Sequence, residues 1–157
     1  MAQDSITVTI SNWNAEKQGT PAYLGVDADN TSLVLKTTLD TTTTWKLIPN
    51  LVINAQGGGF TVYNLTLGNS AWIPQPNTQI VLNDDPTPYG DNNYCWTLWP
   101  AGLSGNDMLW AIQDYQRGSC MDAKNSGTTV GTPVLYWNWN GGDNQRWIIR
   151  FVKPSNQ

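Results

Sequence analysis

Trp45-Lys46-Leu47, Trp96-Thr97-Leu98 and Trp147-Ile148-Ile149 are three tryptophan-led apolar runs, and successive tryptophans stand 51 residues apart. Upstream of each lies an opening run (Ile10-Ser11-Asn12, Val62-Tyr63-Asn64, Ile112-Gln113-Asp114) and a middle apolar triplet (Leu33 to Leu35, Ile80 to Leu82, Val134 to Tyr136). A fixed period of this size marks a repeat architecture, in which each unit has an apolar face it cannot cover alone. Three units of about 50 residues fill the 157-residue chain. A β-propeller also repeats, but its blades usually number four or more. Threefold closure instead predicts a pseudo-symmetric barrel capped by hairpins. The expectation is one all-β domain over residues 1–157, with repeats at approximately 5–55, 56–104 and 105–157 and about four strands in each. The repeated tryptophans are read as core, where truncation to Ala costs roughly 3 to 5 kcal/mol.

The rest of the chain agrees with an all-β reading. Ile6 to Ile10, Leu33 to Leu35, Phe60 to Tyr63, Ile80 to Leu82, Met108 to Ile112 and Trp147 to Ile149 alternate or are rich in β-branched and aromatic residues. Gly, Asn, Asp and Pro punctuate the gaps between them, and no long helical period is present. The threonines at 37, 38 and 41 to 44 suit an exposed strand and turn.

Composition narrows the chemistry. The chain has no His, which excludes Ser-His-Asp and Cys-His nucleophile systems, HExxH zinc sites and an imidazole base. A net charge of −4 and a pI near 4.4 argue against nucleic acid and anionic membrane as partners. No apolar run approaches the roughly 18 residues of a membrane-spanning helix, so no membrane insertion is expected. Cys95 and Cys120 are read as two buried thiols rather than a disulfide scaffold. Met1 to Ser5 lack the basic and apolar regions of a signal peptide, which places the expected compartment in the cytosol. Asn30-Thr31-Ser32 and Asn64-Leu65-Thr66 match the glycosylation pattern and are read as chance. The only Glu is Glu16, and Asp84-Asp85 lacks calcium-loop spacing, so neither a cofactor nor a metal is expected. These features predict a protein that is not an enzyme.

The third unit carries more than the repeat. It reads Gly118-Ser119-Cys120-Met121-Asp122-Ala123, then Gly131 to Trp147, ending Asp143-Asn144-Gln145-Arg146-Trp147. This stretch resembles the gamma repeat of ricin B-type lectin domains, whose hallmark Q-x-W motif is here Gln145-Arg146-Trp147. The first two units keep the Trp without the Gln. The resemblance implies a β-trefoil fold and binding of galactose or N-acetylgalactosamine in shallow pockets, and the chain is most similar to cytosolic lectins of mushrooms and other fungi. Those relatives imply a role in defence against grazing animals or in storage.

Carried over residue by residue, the resemblance places the sugar-binding aspartate on Asp122, the stacking aromatic on Trp137 and the polar pair on Asn144 and Gln145. Physical chemistry suits such a set. A sugar offers hydroxyls and an apolar C–H face, so it needs an aromatic plate and a few convergent polar groups. A carboxylate accepts charge-assisted bonds from adjacent hydroxyls, and an amide can hold that carboxylate in place. Lys124, Asn125, Asn138 and Asn140 are candidates for the rim. Plainer readings stand beside these. Asp122 could bond backbone ahead of the Lys124-Asn125-Ser126-Gly127 turn, Trp137 could be core like its neighbours, and Asn144 and Gln145 could serve the fold.

Departures from the family pattern carry their own expectations. Leu135 stands where many relatives have Gln, and Trp139 replaces the second cysteine of a disulfide, filling the volume beside Cys120. In the first unit Gly25 falls at the aspartate position and Thr43 at that of Gln; in the second, Ile73 and Tyr94 do. One pocket with a carboxylate is therefore expected. A single weak site gains avidity when paired, so a homodimer is compatible with this picture. Two rival functions remain. A protease inhibitor would act through Pro74-Gln75-Pro76-Asn77 or Asp84 to Gly90, and a galactosidase would need a carboxylate pair drawn from Asp114, Asp122 and Asp143.

Overall fold

A computed structural model describes residues 5–53, 56–57, 59–84, 92–115 and 118–153. The alternating runs form strands: β1 (Ile6–Asn12), β2 (Tyr23–Val26), β3 (Leu33–Lys36), β4 (Thr44–Ile53), β5 (Gly59–Thr66), β6 (Ser70–Trp72), β7 (Val81–Asn83), β8 (Trp96–Ser104), β9 (Asp107–Asp114), β10 (Ser119–Ala123), β11 (Val134–Asn138) and β12 (Trp147–Phe151). One short helix, α1 (Trp13–Lys17), follows β1, and the Asn12 side chain caps it by accepting from the Ala15 N–H at 3.4 Å.

Six strands close a barrel. Strand β1 pairs with β4 and β12, β4 with β5, β5 with β8, β8 with β9, and β9 with β12, all antiparallel. Closure leaves none of the six as a free edge, the arrangement that satisfies both sides of every strand. The other six form hairpins β2–β3, β6–β7 and β10–β11. Their meeting point is stitched by backbone bonds from Leu33 N to Ile80 O (3.0 Å), Ile80 N to Val134 O (3.0 Å) and Leu35 N to Thr132 O (2.9 Å). The three middle apolar triplets thus cap one shared core.

Trp45, Trp96 and Trp147 lie fully buried in that core. Each indole N–H donates to a carbonyl of the neighbouring hairpin: Trp45 to Leu24 (2.9 Å), Trp96 to Ala71 (3.0 Å) and Trp147 to Met121 (3.2 Å). A buried indole needs such a partner, and here the partner is what ties barrel to cap. Trp96 also meets Tyr136 edge to face, with centroids 6.4 Å apart. The threonine-rich segment departs from expectation at one residue. Thr43 is fully buried, its hydroxyl bonded to the carbonyls of Thr38 and Asp40 and to the Asp40 N–H, so a polar side chain is accommodated without loss.

Replacing Trp96 by Phe keeps a large apolar ring and strands the Ala71 carbonyl, a loss of roughly 1 to 3 kcal/mol. Replacing it by Ala adds the cavity, for roughly 3 to 5 kcal/mol in all. Urea unfolding measures both, and a Phe variant as stable as the parent refutes the tie.

Candidate functional site

The site begins with the bond that fixes β10. With the Met121 carbonyl held by the Trp147 indole, the strand's register is set, and Asp122 follows as the next residue. Strand β11 runs antiparallel to it, pairing Leu135 with Asp122 and Trp137 with Cys120. The pleat sends Tyr136 and Trp137 to opposite sides: Tyr136 is fully buried, while Trp137 is 38% exposed. A 3₁₀ turn over Asp143–Gln145 then delivers two amides.

Asn144 Nδ2 donates to Asp122 Oδ1 at 2.9 Å, and Gln145 Nε2 donates to Asp122 Oδ2 at 2.8 Å. Each amide is itself held. Asn144 Nδ2 also reaches the Ala123 carbonyl (3.0 Å); Gln145 donates to the Asn138 carbonyl (2.8 Å) and accepts from the Asn140 N–H (2.8 Å). Gly142 makes room for the turn, since a Cβ there would stand 2.5 Å from Asn144 Oδ1. The result is a concavity of about 220 Å³ lined by Asp122, Asn125, Ser126, Leu135, Trp137, Asn140 and Asn144. A hexose-sized ring would meet a carboxylate, amides, a hydroxyl and an indole edge or face there.

The predicted residues separate into three groups. Asp122, Trp137, Asn144, Asn125 and Asn140 line the concavity. Gln145 is fully buried behind Asp122, orienting it from outside the lining. Lys124 and Asn138 are exposed and lie off the lining; the Asn138 side-chain oxygen accepts from the Ser119 hydroxyl. Ser126 and Leu135 complete the wall instead. Asp122 is no backbone turn-former, because its partners are the two amides.

Several further expectations are corrected. Trp139 lies beyond the end of β11, is 38% exposed and stands with the Arg146 guanidinium 5.8 Å from its ring centroid, so it does not fill the space beside Cys120. Using the three indole bonds as a common register, Gly25 falls at the Asp122 position as expected, but the second unit places Trp72 there and not Ile73. Ile73 is buried in the core one residue further on. Gly25 has no room for a side chain: a Cβ would lie 2.9 Å from Lys36, Thr42 and Thr43 atoms. Thr43 and Tyr94, at the Gln145 position, are both buried.

Two positions that the sequence did not single out brace the rim from far along the chain. Asn12 Nδ2 donates to the Asn144 carbonyl (3.2 Å), and Asn14 Nδ2 to the Ser126 carbonyl (2.9 Å). Only the Asn12 cap position ahead of α1 left a local signal.

The electrostatics follow from this enclosure. Burial pushes the Asp122 carboxyl above its ordinary 3.8, and the Gln145 and Asn144 amides pull part of that back by bonding the charged form. Cys120, beneath the same strand pair, is pushed up to about 12 by burial and by the Asp122 charge, so it remains a neutral thiol. A larger concavity of about 460 Å³ lies elsewhere, lined by residues such as Lys46, Asn64 and Ser70, and holds none of the predicted residues.

The rival sites gain little. Asp114 bonds the Tyr136 hydroxyl and the Gly118 N–H, Asp122 bonds the two amides, and Asp143 pairs with Lys17 and Arg146. In the Pro74 to Asn77 loop, Pro74 is buried and the Asn77 N–H is tied to the Tyr136 carbonyl at 2.8 Å. Of the second loop, residues 85–90 lie outside the described residues.

Barrel and cap together define a β-trefoil, and comparison supports that fold. Residues 92–156 match the family model of the ricin-type beta-trefoil lectin domain-like proteins. Among solved structures, the Macrolepiota procera ricin B-like lectin in complex with lactose is 20% identical, covering 95% of this chain and 97% of its own, with a TM-score of 0.66. The earthworm R-type lectin C-half in complex with GalNAc is 17% identical over 93% of this chain and 99% of that one, with a TM-score of 0.58. An exo-β-1,3-galactanase from Clostridium thermocellum gives a TM-score of 0.70 at 18% identity; the match covers 97% of this chain and 31% of the enzyme's. No curated protein matches the sequence. The resemblance read from the third unit is borne out: the chain has the fold of the ricin B-like lectins, mushroom members included.

The raised carboxyl predicts a pH signature. The folded chain holds the Asp122 proton more tightly than the unfolded chain does, so this group favours folding below 3.8 and loses that contribution as pH rises through its raised folded value. In Asp122→Asn the contribution is absent. Urea stabilities at about pH 3 and about pH 6.5 should therefore show the parent losing ground to the variant at the higher pH. A pH-independent difference refutes the assignment.

Proposed function

We propose that this chain is a non-catalytic lectin that binds terminal galactose or N-acetylgalactosamine glycans at the Asp122 concavity in its third unit. On this reading the chain is three units, at approximately 5–55, 56–104 and 105–157, with four strands in each. The observation that carries the reading is a buried carboxylate whose two oxygens each accept one amide bond (2.9 and 2.8 Å), beside a half-exposed indole. Each oxygen keeps acceptor capacity toward the concavity, suited to a pair of neighbouring sugar hydroxyls, while Trp137 offers a plate for the C–H face. The lactose and GalNAc complexes of proteins with this fold agree with that choice of ligand.

Positions 25 and 72 carry no carboxylate, so the third unit is the one such pocket in this proposal. A single pocket of this kind binds weakly; a millimolar affinity is only about −4 kcal/mol. A homodimer displaying two pockets would raise the avidity on a glycan-bearing surface.

Asp122→Ala tests the proposal. Removing a charged acceptor costs roughly 1.5 to 3 kcal/mol, enough to erase a millimolar affinity. The variant should pass unretained through a lactose column that holds the parent, with its near-ultraviolet circular dichroism unchanged. Retention equal to the parent's overturns the site.

Binding should also weaken on acidification. A proton on Asp122 removes the acceptor, and its raised pKa places that loss above the ordinary 3.8. Calorimetric titration with lactose across the acid range checks this; an affinity that holds down to about 3.8 contradicts it.

A further inference from the structure

A second aromatic feature stands on the barrel. Tyr63 from β5, Trp99 from β8 and Trp110 from β9 line a cleft of about 370 Å³ together with Thr61, Thr97 and Leu98. It shares no residue with the Asp122 concavity.

Trp99 is 55% exposed, a large apolar surface to leave in water. Its ring is nevertheless fixed. The indole Nε1 donates to the Thr97 hydroxyl at 2.9 Å, and that hydroxyl donates to the Gln113 carbonyl at 3.1 Å. This relay anchors the ring's polar edge to the barrel backbone. The aromatic face is preorganised, so a ligand does not have to order it.

The lining also defines ligand chemistry. None of the six residues carries a charge, so neither an anionic nor a cationic group finds a partner in the cleft. Aromatic walls with a few hydroxyl-bearing residues match a neutral molecule that has flat C–H faces and peripheral hydroxyls. The cleft is also roomier than the 220 Å³ concavity at Asp122.

We propose that this cleft is a second saccharide site, in which a neutral pyranose ring stacks on the fixed face of Trp99. Binding there rests on stacking without a carboxylate, so it tolerates more sugar types than the Asp122 pocket. The two sites lie on different strands of one chain, which makes even a single copy bivalent toward a glycan-coated surface.

The test uses full-length Asp122→Ala protein, in which the first pocket is silenced. Lactose, cellobiose, maltose and diacetylchitobiose are titrated to concentrations on the order of 10 mM while tryptophan indole N–H signals are followed by NMR. The Trp99 signal is identified by its loss in Trp99→Phe. At least one sugar should shift the Trp99 and Trp110 signals, and Trp99→Ala should abolish the Trp110 shift. Trp99→Phe, which keeps a ring and loses the bond to Thr97, should weaken it by about tenfold, or 1.4 kcal/mol.

The proposal is overturned if none of the four sugars moves these signals in either parent or variant. It is likewise overturned if the Trp110 shift survives Trp99→Ala. Signals that change with protein concentration alone, and stop doing so in Trp99→Ala, make the cleft a contact between copies and also overturn it. The Trp137 indole signal, which should shift with lactose in the parent and stay in place in Asp122→Ala, judges the first pocket separately, so failure at one site is not read as failure at the other.

Discussion

The indole-to-carbonyl bond is the constraint on which this molecule depends. A tryptophan buried at the start of a barrel strand has one side-chain polar atom to satisfy, and in each case the carbonyl that accepts from it belongs to the first strand of a capping hairpin. That single bond fixes the hairpin's height and register against the barrel. In β10 it places Asp122 opposite the turn that carries Asn144 and Gln145. The same bond at Leu24 and Ala71 presents Gly25 and Trp72 from equivalent positions. One framework is therefore used three times, and the chemistry differs because the residue after the anchored carbonyl differs.

Holding a carboxylate there is costly, and the surroundings offset the cost piece by piece. Burial opposes the charge, and two charge-assisted bonds from neutral amides restore part of what water would have supplied. Among the described residues no cation pairs with Asp122, so neutral amides alone meet its two oxygens. The second bonds of the amides, to Ala123, Asn138 and Asn140, keep them from swinging away when the pocket is empty. Gly142 then follows as a spatial necessity. Asn12 and Asn14 extend the bracing to the beginning of the described chain, so the rim rests on both the first and the last barrel strands.

Much of this was legible in the sequence, for reasons that explain what was not. The tryptophan spacing exposed the repeat because the indole bond requires the same residue at the same place each time. Asp122, Trp137, Asn144 and Gln145 were legible because one hairpin and one turn carry them all within a short stretch. In the second unit the sequence pattern points one residue too far, to Ile73 for Trp72, because the loops differ in length and the indole bond sets the register. Lys124 stands off the rim, whereas Asn125 and Ser126 after it both take left-handed backbone angles (φ 54° and 57°) and line the concavity. Trp139 continued an alternation that the structure ends at Asn138. The barrel cleft left no trace, since Tyr63, Trp99 and Trp110 come from three strands and form no local motif.

The departures from the family pattern are also coherent once placed. A disulfide normally closes a hairpin of this kind in relatives that carry both cysteines, as the sequence resemblance implied. Here Cys120 has Trp137 as its cross-strand neighbour, and burial keeps the thiol neutral and chemically silent. The hairpin is held by five paired positions, by the Trp147 indole and by the amide network around Asp122. The turn over Asp143–Gln145 is thereby tied to both strands of the hairpin, through Asp122 and Ala123 on β10 and the Asn138 carbonyl on β11. Under the function proposed above, stability and recognition would share one set of side chains in this unit, and Gln145, although outside the lining of the concavity, would matter to the pocket through the aspartate it holds.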